Sequence, residues 1–248
     1  GFMPNIAETI IAMLGTSSLG ALWSSCSPDF GAKGVADRFG QIRPRVLVCA
    51  DGYQYAGKPF DRLGRARTIL QQIPAISKVV IVPYLNANPD ISRIPNAVLW
   101  KDFAVQAEEI DFQQLPFDHP LYIMYSSGTT GLPKCMVHGA GGTLIQHLKE
   151  LALHTDLRRK DKIFYATTCG WMMWNWLVSS LAVGATVLLY DGSPFHPQPG
   201  ILFDLVQQEE VTVFGTSAKY LSLVEKNGLH PSRTHDLKPL RTILSTGS

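Results

Sequence analysis

The chain has 248 residues, of which 46% are hydrophobic and 17% charged, and a formal net charge of +2. That composition suits an ordinary soluble globular chain, long enough for one large or two smaller domains. Its small, scattered charge, with no basic stripe interleaved with aromatics, argues against nucleic acid or an anionic membrane as a partner. Apolar residues at helical spacing predict a helix over 6–19, started at Pro4 or Asn5 and stopped by Gly20, with a short strand at 21–25. A second helix is expected over 31–42, broken by Pro44, and the run 45–50 reads as a buried strand. A helix over 60–72, ended before Pro74, and a strand over 78–82 continue a βαβ rhythm that points to a parallel sheet.

Residues 85–95 are rich in Asn, Pro, Asp and Ser and read as an exposed connection. The acidic, Gln- and Pro-containing run 108–120 is expected to connect a first α/β sub-structure, 1–107, to a second, 121–248. In the second, strands are predicted at 121–125 and 135–138, a helix at 142–154, a strand at 162–167 and a buried helix at 172–182. A strand at 185–190, a helix at 201–210, a strand at 211–214, a helix at 218–226 and a last strand at 240–244 follow. The expected class is α/β, doubly wound, with mostly parallel sheets and ligands at the C-terminal ends of strands.

Three segments follow strands in this way: Tyr125 to Lys134, the turn Thr168-Cys169-Gly170-Trp171, and Ser245-Thr246-Gly247-Ser248. The first reads Tyr-Ser-Ser-Gly-Thr-Thr-Gly-Leu-Pro-Lys. Backbone N–H groups around Gly128 and Gly131 can form an anion-binding concavity, Ser126, Ser127, Thr129 and Thr130 add hydroxyl donors, and the Lys134 ammonium supplies a point charge. It is not a Walker A loop, in which Lys directly follows the last Gly and a hydroxyl comes next; here Leu132 and Pro133 intervene and Cys135 follows. A plain hairpin turn would account for the glycines but not for the four hydroxyls and the lysine together.

Other conspicuous residues carry less. Cys26, Cys49, Cys135 and Cys169 are isolated, so neither zinc nor a disulfide framework is expected, and reduced thiols suit a cytoplasmic setting. The apolar stretches 10–23 and 171–190 are interrupted by Gly, Ser and Asn, and no membrane span is expected. His147 and His154, two turns apart on one helix without a third ligand, are expected at the surface. Asp29 and Asp51 follow strands without a visible partner. The Trp171, Met172, Met173, Trp174 and Trp176 stripe reads equally as helix core or as a pocket wall. Both ends of the chain read as cut.

The run Tyr125 to Lys134 resembles the signature loop of the adenylate-forming superfamily, which includes acyl-CoA synthetases, nonribosomal-peptide adenylation domains and firefly luciferase. Ala21-Leu22-Trp23-Ser24-Ser25 with Ser27-Pro28-Asp29-Phe30, and Gly170 to Trp176, extend the likeness. So do Ser245 to Ser248, and Lys134 to His138 with Gly141 to His147. Together they are most similar to the branch of the superfamily that activates acetoacetate. The resemblance implies a large N-terminal AMP-binding domain and an acid–thiol ligase using ATP, Mg and coenzyme A. It also implies a clamp on pyrophosphate from the loop, with Lys134 catalytic, and a magnesium contact from Thr129 or Thr130. Adenine contacts fall to Thr246, Gly247 and Ser248. The acyl pocket falls to His138, Trp171, Met172, Met173 and Trp174, whose bulk suits a small acyl group. The family's ribose-binding acid, hinge and small-domain lysine are expected beyond Ser248, so the 248 residues alone are expected to be inactive. Two alternatives stay open, a ligase for another short carboxylate and a catalytically dead nucleotide-binding relative.

Overall fold

Short apolar runs with both faces buried are what a parallel sheet covered on two sides requires, and they organise the structure. The computed structural model describes residues 1–105, 109–126 and 131–247. These fall into two units, Gly1–Gln54 with Pro59–Gly142, and Tyr55–Lys58 with the chain from Thr143 onward.

The first unit begins with α1 (Ala7–Ser18) and α2 (Ala32–Ile42), followed by β1 (Val46–Ala50). A hairpin of β2 (Gly52–Tyr55) and β3 (Lys58–Asp61) precedes α3 (Leu63–Gln72), β4 (Lys78–Val82), β5 (Ala97–Leu99) and α4 (Trp100–Phe103). The strands β1, β4 and β5 lie in that order and are parallel. Leu47, Cys49, Val79 and Ile81 pack with Val35 and Phe39 of α2 and Ala66 and Ile69 of α3 in one cluster. The alternate residues Val48, Val80 and Val82 are buried too, which is why β1 and β4 read as unbroken apolar runs. The helix expected over 60–72 starts only at Leu63. Before it, Ala56 and Gly57 both take positive φ, 49° and 75°, as a two-residue hairpin turn demands. The strand expected over 21–25 is reduced to a single bridge between Trp23 and Tyr122, because Ser24 turns its hydroxyl to the Ile123 carbonyl and no ladder continues.

The antiparallel pair β6 (Pro120–Tyr125) and β7 (Cys135–Gly139) carries the candidate phosphate loop and runs into α5 (Ala140–Leu148). The division between units follows Gly142 and does not fall in the 108–120 connection. Backbone bonds from Trp23 N–H to Leu121 O (3.1 Å) and from Ile123 N–H to Trp23 O (2.8 Å) tie the loop-bearing strands to the first unit. The helix expected over 142–154 begins earlier, at Ala140, and its last six residues, Lys149–His154, widen into a π-helix.

The second unit runs β8 (Lys162–Tyr165), α6 (Met172–Val178) with a 3-10 continuation over Ser179–Val183, β9 (Thr186–Leu188), α7 (Ile201–Gln208), β10 (Val213–Ser217), α8 (Ala218–Lys226), α9 (Pro231–Thr234) and β11 (Thr242–Thr246). Its sheet has the order β11-β10-β8-β9, all parallel. Ile163, Tyr165 and Val213 pack with Trp176 and Leu177 of α6. Their neighbours Phe164 and Phe214 pack with Leu202, Phe203 and Val206 of α7 and Tyr220 and Val224 of α8. Alternate side chains thus feed helix layers on opposite faces, which is the doubly wound arrangement. Gly215 is dictated by this packing, since a Cβ there would overlap the Tyr165 ring. No helix among the described residues is long and apolar enough to cross a membrane.

Candidate functional site

The loop is closed at its base by the hairpin register, in which Tyr125 faces Cys135. Just beyond, the Ser126 N–H donates to the Lys134 carbonyl at 3.0 Å, and the Lys134 N–H donates to Ser126 Oγ at 3.3 Å. Lys134 is exposed, and its ammonium has no ion-pair partner among the described residues. The structure therefore sets the Lys134 backbone while leaving its charge to solvent or a ligand. Among the described residues, nothing lies within 4 Å of where a Cβ on Gly131 would sit. Ser127, Gly128, Thr129 and Thr130, with the magnesium contact expected of one of the threonines, lie outside the described residues.

The entering side of the loop rests on Tyr125. Its Oη lies 3.0 Å from Ser24 Oγ, its ring packs against the first unit's core, and the Arg38 guanidinium sits 5.9 Å from the ring centroid. Burial pushes the phenol's pKa well up, against the opposing hydrogen bond to Ser24, so Tyr125 stays neutral and structural. On the leaving side, Gln41 of α2 donates its amide to the Pro133 carbonyl at 2.8 Å, and the Cys135 thiol points at its Oε1 at 3.6 Å. Neither Ser24 nor Gln41 was legible as part of the site. They lie about a hundred residues from the loop in sequence, and no local pattern links them.

His138 sits on β7 with its ring 5.0 Å from that of Tyr122. Desolvation lowers its pKa, which favours the neutral imidazole. The expectation for His147 is corrected: it is buried, and its Nδ1 lies 2.8 Å from Ser179 Oγ. The turn of α5 that carries it faces the interior because a hydroxyl one helix away satisfies the ring. His154 is exposed as expected. Asp51 is also structural, its buried carboxylate accepting the backbone N–H groups of Tyr84, Leu85 and Asn86, each at 2.8 Å. A cleft of about 440 Å³ at the C-terminal ends of β1 and β4 is lined by Asp51, Asp61, Arg67, Asn86 and Arg93 among others, and by none of the candidate site residues.

In the second unit the remaining candidates gather at one end of the sheet. The strands β8, β10 and β11 are parallel neighbours, so all three finish at the same edge. The chain passes from β8 out to β9, then returns across β8 to β10, so the strand order reverses there and leaves a crevice of the kind in which open α/β sheets hold ligands. After β8, Thr168 Oγ1 is buried without a hydrogen-bond partner among the described residues, a position a ligand could satisfy. At the end of β10, Ser217 Oγ caps α8 by accepting the Tyr220 N–H at 3.2 Å. At the end of β11, Thr246 is exposed, and the following Gly247 takes φ 76°, a left-handed turn that suits glycine. Ser248 lies outside the described residues.

The aromatic and methionine stripe divides. Trp171 is 61% and Met172 44% exposed, Met173 is partly buried against the core, and Trp174 is fully buried. Trp174 therefore packs in the interior, while Trp171 and Met172 present surface to solvent. Trp176 is core as well, donating from Nε1 to Glu150 at 3.0 Å. Helical geometry explains the split, because successive residues of one turn cannot all face the same side. Among the described residues no three His, Cys, Asp or Glu side chains gather to hold a metal.

A family model described as AMP-binding enzyme matches residues 2–248. An acetoacetyl-coenzyme A synthetase from Rhizobium meliloti (strain 1021) is 55% identical over 99% of this chain, and 38% of that protein's length is covered. An acetoacetyl-CoA synthetase from Gallus gallus is 52% identical over the whole chain, again 38% of its length. The solved acetoacetyl-CoA synthetase from Streptomyces lividans superposes with a TM-score of 0.94 at 43% identity, covering 100% of this chain and 38% of that one. The chain thus spans well under half the length of the relatives it matches.

Proposed function

Because the chain belongs to the family of AMP-binding enzymes, we propose that it is part of an acid–thiol ligase that activates acetoacetate with ATP and passes the acyl group to coenzyme A. The observation that carries this reading is 55% identity over 99% of the chain to a protein named acetoacetyl-coenzyme A synthetase. In the first step a carboxylate oxygen of acetoacetate bonds to the α-phosphorus of ATP. The bond from that phosphorus to the bridging oxygen breaks, and pyrophosphate leaves with the electron pair. In the second step the coenzyme A sulfur, as thiolate, attacks the acyl carbon, and AMP departs. A carboxylate is already ionised at neutral pH, so the first step needs no general base. Its demand is electrostatic, because negative charge builds on the departing pyrophosphate, and donors fixed in advance stabilise it most.

The chain's own groups match that demand. Lys134, exposed on a backbone held from both sides, is the cation for the β- and γ-phosphates, and Ser126 and Gly131 belong to the same cradle. Ser127, Gly128, Thr129 and Thr130 complete the clamp. Thr129 or Thr130 would offer one hydroxyl oxygen to a magnesium ion bound with ATP, which would neutralise phosphate charge. Thr246, Gly247 and Ser248 receive adenine, largely through backbone groups at the left-handed turn. His138, Trp171, Met172 and Met173 bound the acyl group, with neutral His138 able to donate a hydrogen bond to a keto oxygen. Residues 1–107 and 121–248, joined by 108–120, are successive stretches of one AMP-binding domain. We place the protein in the cytoplasm, a reducing setting that suits cysteines scattered singly along the sequence.

The test is pyrophosphate exchange into ATP by the full-length protein. Exchange dependent on acetoacetate, and about tenfold or more above that with acetate, butyrate or 3-hydroxybutyrate, is the expected result. Exchange driven better by another carboxylate, or none at all, overturns it.

A further inference from the structure

Gln41 stands in the last turn of α2, far in sequence from the loop, yet its three polar bonds among the described residues bear on it or on its own anchorage. One amide hydrogen goes to the Asp37 carbonyl within the helix at 2.6 Å and the other to the Pro133 carbonyl at 2.8 Å. Its Oε1 receives the Cys135 thiol at 3.6 Å. Pro133 and Cys135 flank Lys134 on either side. The Pro133 carbonyl belongs to the same peptide plane as the Lys134 N–H, which Ser126 Oγ accepts, and the Lys134 carbonyl accepts the Ser126 N–H. Both peptide planes around Lys134 are therefore fixed, one of them from opposite sides.

The helix supplying Gln41 is itself anchored to the loop's other stem. Arg38, three residues earlier and so on the adjacent helical face, donates to Gly34 O at 2.9 Å. Its guanidinium lies 4.6 Å from the Phe30 centroid and 5.9 Å from that of Tyr125, the residue that enters the loop. Phe39 of the same helix meets the Tyr125 ring at 6.5 Å. One helix turn thus touches the residue before the loop and both neighbours of the lysine that closes it.

We propose that Gln41 is a positioning residue for Lys134, and that α2 serves as the rigid strut against which the phosphate loop is held. The proposal rests on the function proposed above. Lys134 has a long flexible stem, and an ammonium that must meet a developing charge gains from every degree of freedom removed beforehand. Gln41 removes those of the backbone. It touches neither nucleotide nor acyl group, so its effect falls on the step that expels pyrophosphate and not on thioester formation.

The test uses the full-length protein and its Gln41→Ala and Gln41→Glu variants. Glutamate keeps the acceptor for Cys135 but loses both donors and sets a carboxylate against the Pro133 carbonyl. Both variants are expected to slow acetoacetate-dependent pyrophosphate release on the order of tenfold, with thioester formation from pre-formed acyl-adenylate unchanged and no loss of melting temperature. A local readout is independent of chemistry. Cys135 is the exposed thiol among four, the other three being buried, and its alkylation, followed by mass spectrometry of its peptide, should quicken several-fold in Gln41→Ala. Equal loss in both half-reactions, or unchanged adenylation, overturns the proposal, as does unchanged alkylation. If the unaltered protein shows no acetoacetate-dependent exchange, the proposed function fails instead, and the alkylation rates still decide whether Gln41 holds the loop.

Discussion

The two ends of the second parallel sheet are built on opposite principles. At the end where its strands begin, polar groups are locked together. Asp161, directly before β8, accepts the Arg158 N–H at 2.7 Å, the Arg241 guanidinium at 2.8 Å and the Thr212 hydroxyl at 3.0 Å. Thr212 precedes β10 and Arg241 precedes β11, so one carboxylate joins the starts of three strands. Arg241 also donates to the carbonyls of Thr155 and Asp156, at 3.1 and 2.7 Å. Where the same strands finish, Thr168 keeps a buried hydroxyl without a partner among the described residues, and Thr246 and Gly247 lie exposed. An end that satisfies itself has nothing left to offer a ligand; an end that leaves donors unspent does. The contrast separates groups that hold the sheet from groups that can act.

Substitutions at the two kinds of place should therefore fail differently. The largest effect is expected at the locked end. Burial by itself would raise the Asp161 pKa, but the hydrogen bonds from Arg241, Arg158 and Thr212 outweigh it and leave it lowered. Because the folded state binds its proton less readily than the unfolded one, Asp161 contributes stability that is present above about pH 4 and is lost as pH falls further through the folded value. Asp161→Asn in the full-length protein should cost about 3 kcal/mol in urea unfolding at pH 7, by leaving the Arg241 charge half-buried and unpaired. It should also flatten the acid limb of the stability curve. Unfolding midpoints that match the unaltered protein would remove the contrast.

Next in size is Lys134→Ala, expected to slow adenylate formation about 100-fold, or about 2.7 kcal/mol. The melting temperature and thioester formation from pre-formed acyl-adenylate should be little changed. Comparable losses in both half-reactions would show that Lys134 does more than meet pyrophosphate. The smallest effect is expected from Gly247→Ala. A left-handed φ of 76° costs an alanine about 1 kcal/mol, which should appear as roughly fivefold weaker AMP binding by calorimetry with little change in stability. Unaltered affinity would take the β11 turn out of the adenine site.

Much of this was legible in the chain itself. Alternation of apolar runs with amphipathic ones marked the parallel strands, because strands covered on both faces must be apolar throughout. The concentration of hydroxyls, glycines and a lysine between two β-prone runs marked the loop, because that chemistry has no use in an ordinary turn. Local conformation was harder to read where two periods competed. The β2–β3 hairpin went unread, the end of β3 being taken as the start of the 60–72 helix, and the π-helical end of α5 looked like plain helix, since neither departure alters the order of apolar residues enough to announce itself.

Only the tertiary structure decided which side chains of a shared pattern do which work. Trp171 and Trp174 carry the same side chain three residues apart, yet one is open to solvent and the other sealed in the core. His147 and His154 share a face in a regular helix, but the inner one is claimed by Ser179. Gln41 has no feature in the sequence that ties it to Lys134. A sequence determines periodicity and local chemistry because those depend on neighbours along the chain. Burial, partner and orientation depend on groups brought together across some ninety positions, and packing alone settles them.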